Sequence, residues 1–212
     1  EMQANGLVPV FLGETSACRH AISSAGTQRQ SRPGVYKIGY GPEELAELEP
    51  GNTTYRRDLS ISYERLADLA REAGRSGDAE TLYRQSLTVR EELAELEPGN
   101  TTYRRDLSIS YNKLADLARE AGQLEIARDL VHRAVGILRA LHRLEPRRVD
   151  VAVEFAYALY LSAMIAVLEE QENAGLTERQ EIVDVLVPFE PAGLLTARGH
   201  SLLAWVREGD SD

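Results

Sequence analysis

The chain is short of cysteine, lysine and histidine, and each shortage removes a class of explanation. One cysteine, Cys18, rules out an internal disulfide framework and fits a reducing cytoplasm, where the sequence is read as belonging. Lys37 and Lys113 are the only lysines, and Lys and Arg together number 24 against 34 Asp and Glu. The formal charge of −10 leaves no basic surplus to release counterions from a phosphate backbone, which argues against nucleic acid as the main partner. The phosphate-binding loop, paired-histidine zinc and calcium-loop patterns are all missing. His20, His132, His142 and His200 are scattered, so no metal site and no cofactor is expected.

Long apolar runs are also scarce. Leu7 to Leu12 is short, contains Pro9 and has no basic residue before it, which speaks against a secretory signal. Val151 to Leu168 is apolar nearly all round, interrupted by Glu154 and small residues. It is read as a helix buried between neighbours rather than a membrane span.

What the chain does have is a duplication. Glu43 to Gly74 recurs as Glu91 to Gly122 with a period of 48 residues, and over those 32 positions the copies differ only at Glu64/Asn112 and Arg65/Lys113. Leu59, Tyr63, Leu66, Ala67, Ala70 and Ala73 fall on one stripe of a 3.6-residue helix. Pro50 and Gly51 stop what precedes it, Asn52 or a following threonine caps it, and Gly74 ends it. A second helix follows, with Ala79, Leu82, Tyr83, Ser86, Leu87 and Leu93 on its stripe, and closes at Pro98 and Gly99. A helix pair of this kind cannot bury its apolar face alone and must stack on its neighbour.

The order of an aromatic at Tyr63, then Leu66, Ala67, Ala70, Gly74, Ala79, Tyr83 and Ser86, matched by Tyr111, Leu114, Ala115, Ala118, Gly122, Ala127, Val131 and Ala134, resembles the tetratricopeptide repeat (TPR). The period is longer than the usual one of about 34 residues and is read as longer helices. The resemblance covers Glu43 to about Pro146. It implies an all-α fold, an antiparallel helix-pair α-solenoid or superhelix, with units at about 52–98 and 100–146, a divergent third at 147–190 and a lid helix at 192–207. Residues 43–212 are expected to form this domain, and residues 1–42 are read as an irregular N-terminal segment or linker in which Leu7 to Leu12 could form a short strand and Thr15 to Ala25 a helix. Thr177 with Gln180 reads as a capping box opening a helix to Val187.

In such arrays the first helices line a concave groove that holds a peptide or a partner's helix. The resemblance places Glu64, Arg65, Asp68 and Arg71, then Asn112, Lys113, Asp116 and Arg119, on that groove, projecting away from the packed side. The expected function is therefore a non-enzymatic protein-interaction scaffold whose partner is a protein or peptide. An alternative is self-association into a homo-oligomer through the incomplete N-terminal end, where Glu43 to Glu49 is half a unit. A further alternative makes residues 1–42 an accessory or lid part of a thiol-dependent enzyme, with Cys18 beside Arg19 and His20 as nucleophile. The acidic runs Glu43, Glu44, Glu47, Glu49 and Glu91, Glu92, Glu95, Glu97 are read as a solvated outer face.

Overall fold

A computed structural model describes residues 41–170 and 175–209, all within one compact unit. The described residues are all-helical: α1 (Pro42–Leu48), α2 (Thr53–Glu72), α3 (Ser76–Leu96), α4 (Thr101–Glu120), α5 (Leu124–Leu144), α6 (Val149–Leu168), α7 (Leu176–Leu186) and α8 (Ala197–Gly209), with a 3₁₀ turn at Val187–Phe189. Each helix packs on its neighbours in the chain, and α6 also touches α4 and α8. The strand and helix expected before residue 41, and Cys18 with its neighbours, lie outside the described residues.

The period is written into the turns. Oδ1 of Asn52 accepts from the backbone N–H of Thr54 and Tyr55, and Asn100 does the same for Thr102 and Tyr103. Each asparagine thus satisfies two amides that the helix start leaves without partners. At the other end, Gly74 and Gly122 both take φ +73°, and the next residues, Arg75 and Gln123, donate back to the carbonyls of Ala70 and Ala118. The same left-handed place one period later falls to Glu170, with φ 53°. α6 therefore keeps the length and ending of α2 and α4 although its sequence has diverged.

Helices α2 and α3 run antiparallel, since Tyr83 early in α3 meets Asp68 late in α2, and Ser86 further along donates to the carbonyl of Ser60. Small side chains allow the approach: Ala67, Ala70 and Ala79 are buried together with Tyr83. The same cluster receives Leu114 and Leu117 from α4, each worth about 1.5–3 kcal/mol when fully buried. A larger core joins α4 through α8, centred on the apolar α6, whose Val151, Phe155, Leu159, Leu161 and Ile165 are covered by its neighbours. By length and composition alone α6 is long and apolar enough to cross a membrane, but 56% of its most apolar window is buried inside the protein.

Three local expectations change. The first-helix stripe is more deeply buried in α4, through Tyr111, Leu114, Ala115 and Ala118, than in α2, where Ala67 and Ala70 are buried but Leu66 is exposed, and the last stripe residues, Ala73 and Ala121, are exposed in both. No capping box opens α7: its N-cap is Gly175 at φ 77° and Thr177 lies inside the helix. The last helix starts at Ala197 rather than at residue 192; Leu195, Leu202, Leu203 and Val206 are buried, while Leu194 is exposed.

Candidate protein-interaction face

The first helices α2, α4 and α6 are tied side to side by charge. Arg57 of α2 lies 2.5 Å from Asp106 of α4, Lys113 of α4 donates to Asp68 of α2 at 2.7 Å, and Arg71 of α2 donates to Asp116 of α4 at 2.7 Å. Arg71 also pairs with Glu120, and Arg105 of α4 lies 3.0 Å from Asp150 of α6. Three of these α2–α4 and α4–α6 pairs join residues 45 apart, so each first helix lies alongside the next with nearly the same offset.

This ladder corrects the expectation that the eight candidate residues project freely. Of them, Arg65 is exposed. Asp68 is half-buried and accepts from both Lys113 and the Tyr83 hydroxyl. Asp116 is buried at 7% exposure and accepts from Arg71 and Arg119, both at 2.7 Å. Asn112 is buried at 2% exposure, and neither its amide nitrogen nor its amide oxygen has a hydrogen-bond partner among the described residues. Glu64 is half-buried and sits 2.5 Å from the buried guanidinium of Arg90, close enough for ion pairing but without hydrogen-bond alignment at that oxygen.

The electrostatics follow from these contacts. Burial pushes the Asp116 carboxyl up, but the hydrogen bonds from Arg119 and Arg71 outweigh it and hold the group below the usual carboxylate range. Asp68 behaves alike, with burial opposed by Lys113 and Tyr83. Glu154 of α6 goes the other way: burial raises it, and the nearby Arg198 and Arg105 compensate only in part. Burial also pushes the Tyr157 hydroxyl up to about 12.

At the α6 end the face is closed by α8. Arg198 pairs with Glu154 at 3.3 Å and stacks 4.8 Å from the ring centre of Tyr157. Trp205 meets Tyr160 edge-on at 4.9 Å, with Arg179 of α7 4.2 Å from the indole. These cation–aromatic contacts fasten the last helix by its polar as well as its apolar side.

Reading the sequence missed Arg90. It is 3% exposed and donates to Ser60 Oγ, to the Asp106 carbonyl at 3.0 Å and to Ser110 Oγ at 2.9 Å, stitching α3 to both α2 and α4. One period later the same place is Leu138, fully buried. The change from Glu64 to Asn112 therefore accompanies the loss of its arginine partner rather than marking a ligand. The signal lay in the second helices, at a 48-residue offset outside the matching stretch. The acidic runs are likewise not purely a solvated face, since Tyr63 donates to Glu43, Tyr111 donates to Glu91, and Glu92 pairs with Arg56.

Among the described residues no group of three or more His, Cys, Asp or Glu side chains is placed to hold a metal ion. Compared with known proteins, the chain matches no family model, no curated protein sequence and no solved structure.

Proposed function

We propose that this chain is a TPR-like α-solenoid that acts as a protein-interaction scaffold, seating a partner's peptide segment along the face shared by α2, α4 and α6. It makes and breaks no bond and works in the cytoplasm. The observation that carries the reading is the ladder Asp68–Lys113, Arg71–Asp116 and Arg105–Asp150. Side chains clamped between helices before a partner arrives lose little freedom on binding, which is how a preformed receptor surface gains affinity. The pairing also alters the expected partner. With Asp68, Asp116 and Arg71 already matched, recognition falls to Arg65, to the outer side of Lys113, and to Ile61, Ile109 and Tyr157, half-buried at equivalent places 48 apart. A segment with apolar anchors and an acidic group suits that surface.

The test is capture from the source cell's lysate by the native chain, by Arg65→Glu with Lys113→Glu, and by a control carrying Arg133→Glu with Arg143→Glu on the exposed side of α5. A protein held by the native chain and the control but lost from the first variant, with helical content unchanged, supports the face. Equal capture by all three removes it.

A further inference from the structure

Helices α2 and α4 carry leucines at equivalent places, Leu66 with Leu114 and Leu69 with Leu117, in stretches that differ only at Glu64/Asn112 and Arg65/Lys113, yet the two helices are covered differently. Leu114 and Leu117 are 3% and 7% exposed, whereas Leu66 and Leu69 are 52% and 59% exposed. General looseness of the first unit is not the cause, because Leu48, Leu96 and Leu144, also 48 apart, are all exposed to a similar degree. What differs is the helix in front. Leu114 and Leu117 share a cluster with Ala79 and Tyr83 of the 21-residue α3, whereas α2 is preceded by α1, seven residues long.

Where α1 exists it repeats the α3 interface in register. Leu45 is buried as Leu93 is, and Tyr63 donates to Glu43 as Tyr111 does to Glu91. The helix then stops at Pro42, the place of Arg90 in α3. In α4, the Ser110 hydroxyl and the Asp106 carbonyl accept from that arginine. In α2, the Ser62 hydroxyl turns back instead and donates to the Asp58 carbonyl at 2.9 Å.

We propose that this flank of α2 seats an amphipathic helix of another molecule, one that carries the face of α3 and runs toward α1. The site continues an interface already present in the chain, and α3 on α4 shows its chemistry. The guest presents an aromatic and a leucine four residues apart, as Tyr83 and Leu87 are, above Leu66 and Leu69. It ends in a basic residue within reach of Ser62 and the Asp58 carbonyl. This flank is distinct from the face proposed for the scaffold function, and either can fail alone.

The probe is a peptide of the chain's own Ser76 to Arg90, added to the full chain and followed by backbone amide shifts and by peptide fluorescence anisotropy. The expected result is saturable binding with shifts centred on α2, weakened at least tenfold by Leu66→Asp with Leu69→Asp and severalfold by Arg90→Ala in the peptide. Leu144→Asp, an exposed leucine elsewhere, leaves binding unchanged. Because Leu66 and Leu69 are already exposed, their replacement is tolerated by the fold. Three results overturn the proposal. The peptide fails to bind at millimolar concentration. It binds the Leu66→Asp, Leu69→Asp chain as well as the native one. Or the chain dimerises through these leucines and excludes the peptide, which makes a second copy the occupant.

Discussion

Arg90 and Glu64 face each other across α3 and α2 at 2.5 Å, and one unit later their places are taken by Leu138 and Asn112. The two units thus solve one position in two ways, a buried ion pair or an apolar side chain. Breaking the pair on one side strands a charge. Arg90→Leu alone is expected to destabilise the protein by about 3–5 kcal/mol, because Glu64 is left half-buried without its partner. Arg90→Leu with Glu64→Asn copies the second unit and is expected to recover more than half of that loss. Urea midpoints of the two single variants and the double variant give the coupling; additive effects would show that the pair does not act as a unit.

Asn112 is the unfinished half of that exchange. Its amide is buried with neither atom hydrogen-bonded among the described residues, which costs about 1–3 kcal/mol relative to a paired group. Asn112→Leu keeps the branching of the side chain and removes the polar atoms. It is expected to raise the urea midpoint, by about 1 kcal/mol in stability. A lowered midpoint would mean that the amide contributes a contact this structure does not contain.

How far the sequence revealed all this follows its regularity. Helix spans of the two copies, their asparagine caps and their glycine ends were legible because local chemistry dictates them: an Asx side chain at the start, a residue free to take φ +73° at the end. Burial was not legible, because it depends on what stands in front. Leu66 and Leu114 lie in stretches that differ only at Glu64/Asn112 and Arg65/Lys113, and have opposite environments. The pairing of the candidate residues was hidden for a related reason. A polar stripe on a first helix reads as solvent-facing, but the charge pairs set α2 alongside α4, so Asp116 pairs with Arg71 of α2 and both Asp116 and Asn112 are buried. Charge pairs 45 residues apart carry no local signal that would announce them.

Glu170 offers a correction of a different kind. It stands where Gly74 and Gly122 stand, with φ 53°, a conformation in which a side chain costs about 1 kcal/mol relative to glycine. Glu170→Gly is expected to raise the midpoint of thermal unfolding by a few degrees, on the order of 1 kcal/mol. The reciprocal change, Gly122→Glu, is expected to lower it by a similar amount. An unchanged midpoint in both would show that these helix endings do not limit stability.

The ladder carboxyls and Glu154 of α6 make stability depend on pH in two opposite steps. Asp116 is held below its unfolded value of about 3.9, so its contribution is complete above that value and is lost as pH falls through the lower, folded one. Asp68 shifts in the same sense. Glu154 is raised by burial, so its charged form weakens the folded state at neutral pH, and that penalty is relieved as pH falls through the folded value, which lies above about 4.3. Acidification from pH 7 is therefore expected to produce a shallow gain in stability before the fall below about pH 4. Urea midpoints at closely spaced pH resolve the two steps. Glu154→Gln flattens the gain and leaves the fall, while Asp116→Asn lowers stability at pH 7 and makes the fall less steep. An Asp116→Asn variant that declines as steeply as the native chain would place the acid-sensitive contact elsewhere and leave the Arg71–Asp116 rung without energetic weight.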